Sequence, residues 1–348
     1  MKKKCRFVGI MFLCIIIVCT VLVMIYERAT NNNTKENENI TVVTSFYPMY
    51  IAALNIVDGA DGVTLENLSE PQTGCLHDFQ LTPEDMKLLS TADMFVINGG
   101  GIESFMSDVA KAYPDLTVVE ACKNVELINE SEEDVDTHDH DHEADSDETD
   151  HDHDNEADSD ETDHDHETDS DESGHDHDHG DENAHAWMSV ARYRVMVSTI
   201  AESLSKADPS NAAIYDSNAK KYDAKLAELE EKEKEIKQKT AGNDIIIFHE
   251  AYEYVADDFG MNVCYLMDLD EERAVSAGEV SDVINAVRND GVSVILAEEL
   301  YGKDLGDTVS RETDVKMVYI DPLNRGNYDK NSYIGGMEKN FELIEAAF

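Results

Sequence analysis

The chain has 348 residues and a formal charge of −49 at pH 7, with 76 Asp and Glu against 27 Lys and Arg. The excess is local: residues 130–184 hold 28 acidic residues and no Lys or Arg, leaving −21 on everything else. With no basic patch outside the N-terminus, nucleic-acid phosphate is excluded as a partner, and small or cationic partners remain.

The N-terminus opens with Lys2, Lys3, Lys4 and Arg6, then runs from Phe7 to Tyr26 without a charge. At 1.5 Å rise per residue such a run reaches ~30 Å, the hydrocarbon thickness of a bilayer. The four cations stay cytoplasmic by the positive-inside rule, which puts the remainder outside. A retained anchor is favoured over an atypical lipoprotein or a cleaved signal. The run is long for a signal peptide, and Glu27-Arg28-Ala29 lacks a small-x-small cleavage pattern. Val18 before Cys19 and Leu13 before Cys14 are not the small residues a lipidation site needs. Beyond this segment only Cys75, Cys122 and Cys264 remain, enough for at most one internal disulfide and with no C-x-x-C pair.

After a polar tether to residue 39, strands are expected at 41–46 and 63–68 with a helix at 47–57 between them. Thr82-Pro83-Glu84-Asp85 is a helix start, with Thr as N-cap, Pro in the first turn and Asp at the third position. A strand at 93–98 runs into Gly99-Gly100-Gly101, followed by a helix to Tyr113 and a strand at 116–121. The acidic tract then interrupts. Its letters EADSDETDHDH occur at 143–153 and again at 156–166, a period of thirteen, with almost no apolar residue to stack. Such a stretch cannot offset its ordering entropy and is expected to be a disordered insertion.

Helical pattern resumes after Ala184, and Asp208-Pro209-Ser210 opens a long run to about Lys239. Strands at 244–248, 263–267, 292–297 and 316–320 then alternate with helices to 259, at 278–289, at 303–313 and from about 331. Alternation of this kind predicts parallel sheets with crossover helices. The expected architecture is α/β: two lobes, each a parallel sheet flanked by helices, joined by one long rigid helix. The partition is a membrane segment and tether at 1–39 and an N-terminal lobe at 40–207 carrying the insertion 130–184. A connecting helix at 208–241 and a C-terminal lobe at 242–348 complete it.

Ten of the thirteen histidines lie in the tract: His138, His140, His142, His151, His153, His164, His166, His175, His177 and His179. Their H-D-H spacing makes a weak, multivalent collector of divalent cations, since imidazole with carboxylate is a zinc ligand set. The other three stand alone. Ligands in open parallel sheets come from loops beyond the carboxyl ends of strands. His249 follows one strand and Asp321 another, His77 lies in the loop after the second strand, and His185 sits ahead of a helix. Taken singly, each reads as a hydrogen-bonding or turn residue; what singles them out is that every histidine outside the tract passes the same filter.

Gly74-Cys75-Leu76-His77-Asp78-Phe79 followed by Thr82-Pro83-Glu84-Asp85 resembles the first ligand motif of the solute-binding proteins of zinc and manganese ABC importers (ZnuA type). Asn183-Ala184-His185-Ala186-Trp187-Met188 is similar to the second, Phe248-His249-Glu250-Ala251-Tyr252 to the third and Tyr319-Ile320-Asp321-Pro322-Leu323 to the fourth. Ser276-Ala277-Gly278-Glu279 falls at that family's Pro-Ser helix start. The likeness covers about 40–348. It implies a monomeric, non-enzymatic protein outside the membrane that captures Zn²⁺ between two lobes and delivers it to a membrane permease. It also implies ligand roles for His77, His185, His249 and Asp321. Ala184 and Ser189-Val190 depart from the family pattern, and water or Glu298 are substitutes for Asp321. Histidine at the third position, where manganese binders tend to have glutamate, favours zinc over a manganese-binding homologue. A zinc hydrolase is the rival from another class, but position 253 is Glu, so there is no H-E-x-x-H helix. A surface adhesin or metal store could be served by the tract alone.

Overall fold

The computed structural model describes residues 39–69, 79–129, 182–269 and 274–348, with positions 18, 20, 21 and 23 of the N-terminal segment. The expected anchor lies almost wholly outside the described residues, as do His77, the whole histidine tract and Cys75. Among the described residues no helix is long and apolar enough to cross a membrane. Cys122 and Cys264 are free thiols.

The N-terminal half runs β1 (Ile40–Thr44), α1 (Tyr47–Ile56), β2 (Val63–Asn67), α2 (Pro83–Leu89), β3 (Met94–Ile97), α3 (Met106–Ala112) and β4 (Thr117–Glu120). Its parallel sheet has the order β2-β1-β3-β4. The C-terminal half runs β7 (Asp244–Ile247), α6 (Tyr252–Phe259), β8 (Asn262–Leu266), α7 (Ala277–Asp290), β9 (Val294–Ala297), α8 (Glu299–Glu312), β10 (Lys316–Tyr319) and α9 (Ser332–Glu345). Its parallel sheet has the order β10-β9-β7-β8. Between them stand α4 (Val190–Ala207) and α5 (Ala212–Thr240), the latter 29 residues and so ~44 Å long. The two-lobed α/β architecture is as the alternating pattern predicts.

The central strands β3, β7 and β9 are apolar on both faces, and their alternation divides the core. In β7, Ile245 and Ile247 join a core shared by both lobes, while Ile246 and Phe248 turn to a separate cluster under α7 and α8. In β3, Met94 and Val96 enter the shared core, and Phe95 and Ile97 a satellite under α2 and α3. Side chains alternate across a strand, so one continuous apolar run feeds two cores. The shared core passes through Tyr193 of α4, Tyr222 and Leu226 of α5 and Tyr333 of α9. Tyr193 and Tyr333 stack there with ring centroids 3.8 Å apart. The lobes are therefore packed on common helices.

Two helix starts are fixed by reciprocal caps. Thr82 Oγ1 accepts from the Asp85 N–H at 3.2 Å and Asp85 Oδ2 accepts from the Thr82 N–H at 2.8 Å. Ser276 and Glu279 repeat the arrangement at α7. α8 begins at Glu299, a turn before the expected 303. Gly302 reads as a poor helix residue, yet its missing Cβ lets the helix sit against Ala297, where a Cβ would meet the Ala297 Cβ at 2.9 Å. The sequence pattern also misses a two-residue antiparallel ladder, β5 (Ile128–Asn129) with β6 (Glu182–Asn183). It closes the base of the tract immediately before His185.

One buried acid ties β1 to β3. Glu103 accepts from Ser45 Oγ at 2.8 Å, the Asn98 N–H at 2.7 Å and the Gly99 N–H at 3.0 Å. Burial outweighs these three donors and pushes its carboxyl up to about 7. Folded Glu103 thus keeps a proton that the unfolded chain has released above the ordinary carboxylate range. Its contribution to stability is full at acid pH and is lost as pH rises through about 7. Thermal melts of the metal-free protein should show the midpoint falling from pH 5 to pH 7, with a slope of up to ~1.4 kcal/mol per pH unit from this group. Glu103→Gln should flatten that limb; an unchanged slope in the variant would contradict the assignment.

Candidate metal centre

His249 stands two residues beyond Ile247, at the carboxyl end of β7, and Asp321 two residues beyond Tyr319, at the end of β10. His185 follows β6 and precedes a 3-10 turn, Ala186–Met188, that leads to α4. The structure brings His185 and His249 together: both are fully buried, with ring centroids 5.0 Å apart and planes at 86°. Trp187 lies 4.9 Å from His185 and Tyr252 5.6 Å from His249, measured between ring centroids, so aromatic walls flank both imidazoles.

The orientation of His185 is set by oxygen atoms. Its Nδ1 lies 3.0 Å from Asn183 Oδ1 and 3.2 Å from Glu250 Oε1. A ring nitrogen facing two acceptors carries the proton, which makes Nε2 the basic nitrogen, the arrangement a metal-bound imidazole takes. Asn183 is itself held on every side. Its Oδ1 also accepts from the His185 N–H at 3.0 Å, its Nδ2 donates to the Glu250 carbonyl and to Glu253 Oε2, both at 2.9 Å, and its carbonyl accepts from Tyr254 Oη at 2.5 Å. This buried amide therefore fastens the His185 segment to the His249 segment.

His249 presents the opposite face. Its Nδ1 accepts from the Ala251 N–H at 3.1 Å. In that state the ring proton sits on Nε2. An ion approaching Nε2 requires the proton to move to Nδ1 and the Ala251 contact to be given up.

Three successive carbonyls of the loop carrying Asp321 are each held by a different element. Tyr252 Oη of α6 donates to Ile320 O at 2.9 Å, Asn340 Nδ2 of α9 to Asp321 O at 2.7 Å, and Trp187 Nε1 to Pro322 O at 2.8 Å. Asn340 Oδ1 accepts the Asp321 N–H at 2.8 Å, so a single side-chain amide pairs both ends of that residue's backbone. Leu323 has φ of 54°, a left-handed conformation that ordinary residues enter at a cost of ~1 kcal/mol or more. Its side chain fills the space left by Gly336 on α9, where a Cβ would lie 2.3 Å from Leu323 Cδ2. Asp321 Oδ1 accepts from the Leu323 N–H at 2.8 Å.

The N-terminal lobe reaches the same place through its glycine turn. Gly99, Gly100 and Gly101 all have positive φ, and a Cβ on Gly100 would stand 3.4 Å from Ala184 Cα. Asn98 Nδ2 donates to the Ala184 carbonyl at 2.9 Å, next to His185. At the root of the loop that contains His77, Tyr328 Oη donates to Ser69 O at 3.2 Å and accepts from Asn67 Nδ2 at 2.9 Å. The segment following Asp321 thus crosses to the opposite lobe. Among the described residues, three or more His, Cys, Asp and Glu side chains are nowhere gathered closely enough to hold an ion. His77 and the tract lie outside that comparison. Asn183 and Glu250 lie inside the second and third motifs, but their roles, like that of Asn340, depend on contacts that no motif records, as far as 71 residues apart in sequence.

The family model described as zinc-uptake complex component A, periplasmic, matches residues 42–347. Zinc-binding protein AdcA of Streptococcus pyogenes serotype M3 is 30% identical over 317 residues, covering 88% of this chain and 55% of its own. The chain thus spans about half the length of the first curated relatives it matches. Manganese-binding lipoprotein MntA of Halalkalibacterium halodurans is 23% identical over 352 residues, covering 99% and 98%. Among solved structures, Zn(II)-bound AdcA from Streptococcus pneumoniae superposes with a TM-score of 0.66 at 20% identity, over 89% of this chain and 57% of that one. That likeness concerns the fold.

Trp187→Phe removes the donor to Pro322 O while keeping most of the buried ring. The orphaned carbonyl and the lost volume should cost ~1–3 kcal/mol of stability, read as a lower urea midpoint at unchanged m-value. A midpoint within experimental error of the parent would show that the bond does not hold the loop.

Proposed function

The chain belongs to the zinc-uptake complex component A family, and from that membership we propose that it is the extracellular zinc-capturing component of a metal ABC importer. In this reading one Zn²⁺ is held in the cleft between the lobes by His77, His185, His249 and Asp321 and is passed to a membrane permease. The observation that carries it is the buried pair of imidazoles 5.0 Å apart, one already committed through Nδ1 to oxygen acceptors. Nitrogen-rich sites suit zinc, and they bind it only with imidazole deprotonated, so acidification should release the ion.

A hydrolytic role fits less well. The carboxylate adjacent to His249 is Glu250, and it faces His185 Nδ1, where it orients a ring. Manganese is the second reading. It is favoured by a second carboxylate, Glu298, at the end of β9 beside Asp321, because added oxygen ligands suit Mn²⁺.

The tract and the N-terminal segment complete the proposal. Residues 7–26 would anchor the protein at the outer face of the membrane. The ten tract histidines would gather zinc weakly at the mouth of the tight site, since the ladder at the tract's base ends two residues before His185. Metal analysis should find one tightly held zinc after mild chelation, whereas a metal store would keep many.

His249→Ala should weaken zinc binding by more than ~100-fold in a competition titration, since even outer-shell losses at metal sites cost 10–100-fold. Unchanged affinity would remove His249 from the site. Deleting residues 131–181, which spares both strands of the β5–β6 ladder, should leave the tight site intact and slow uptake only when zinc is scarce; equal uptake at all concentrations would make the tract a spacer.

A further inference from the structure

Three neighbouring strands end side by side at the candidate centre. Ile247 pairs with Leu296 and Ala297 with Tyr319, and the ladder continues through Phe248 N–H to Leu296 O at 2.9 Å and Ile320 N–H to Ala297 O at 3.0 Å. One row further on, β7 contributes His249, β9 contributes Glu298, and β10 contributes Ile320 followed by Asp321. The middle strand therefore places a carboxylate between two of the proposed ligands. Glu298 is 6% exposed, and with Asp321 and Asn340 it lines a cavity of about 660 Å³ that neither His185 nor His249 borders. Turned from that cavity toward His249, its neighbour across the ladder, the carboxylate would offer a divalent ion an oxygen donor.

Glu298 is already engaged. Arg325, four residues after Asp321, turns back across the same cavity and pairs through Nη2 with Glu298 Oε1. Its guanidinium also lies 5.8 Å from the centre of the Tyr301 ring, which limits its freedom. We propose that Arg325 determines which metal the site accepts, by holding Glu298 out of the coordination sphere as an internal counter-ion. The pair removes one oxygen donor and one negative charge from the reach of the ion. What is left is rich in imidazole, which favours Zn²⁺; an additional carboxylate would move the site toward Mn²⁺. The proposal rests on the zinc-capture reading and adds the residue that fixes its selectivity.

The test uses the full chain, with Zn²⁺ and Mn²⁺ affinities measured against a competing chelator strong enough to mask the tract. Arg325→Gln leaves Glu298 without its cation. Mn²⁺ affinity should rise at least tenfold while Zn²⁺ affinity changes less, and Mn²⁺ should raise the variant's melting temperature more than it raises the parent's. Glu298→Gln combined with Arg325→Gln should restore the parent's zinc-to-manganese ratio. If Arg325→Gln does not fold, Arg325→Lys, whose ammonium cannot reproduce the fork geometry, should show a smaller gain of the same sign. A folded arginine variant without that gain overturns the proposal. So does a loss of zinc affinity in Glu298→Gln as large as that in His249→Ala, which would make Glu298 itself a ligand. Failure of the parent chain to bind either ion tightly would instead overturn the capture reading.

Discussion

Strands packed on both faces cannot carry polar side chains along their length, and this constraint sends the protein's chemistry to the carboxyl edges of its two sheets. Ile245, Ile246, Ile247 and Phe248 are all fully buried, and the first polar side chain after them is His249, also buried but beyond the strand's end. The same break occurs at Glu298 after Val294–Ala297. In the other lobe it occurs at Asn98 after Met94–Ile97. A shared core beneath α4, α5 and α9 then holds the two edges at a fixed separation.

Precision at that edge comes from buried hydrogen bonds between distant segments. The Asn183 amide joins the segments of His185 and His249, and the Asn340 amide clamps the backbone of Asp321. Trp187 reaches from the second motif to the fourth. Each such group would be costly if left unpaired, so the network tolerates few alternative arrangements of the loops. Bonds of this kind hold the loops that carry His185, His249 and Asp321 in place without a ligand.

Much of the fold was legible because β-branched runs and cap residues are local signals: Thr82-Pro83-Glu84-Asp85 fixes the start of α2 from four letters, and Ile245–Ile247 announces a strand. The positional rule for parallel sheets picks out His249 and Asp321, and both stand just beyond strand ends. Helix α8 starts four residues before the pattern indicates, because the close contact of Gly302 with Ala297 decides its place and no propensity records that contact. The β5–β6 ladder was missed because two residues carry no periodicity, and its partners are separated by the whole tract. Glu103, Asn340 and Arg325 were invisible for a related reason. Their chemistry lies in what they touch, and a single sequence does not record touching.

The ladder at the base of the insertion has an evolutionary consequence. Both ends of the insertion leave the fold at one point, so its length is decoupled from the register of every other element. Closure cost grows only with the logarithm of loop length, and one more thirteen-residue unit in a loop of roughly 50 adds only ~0.2 kcal/mol. Gain or loss of one unit carrying the EADSDETDHDH letters would therefore change the length of the acidic insertion at little cost to the folded body.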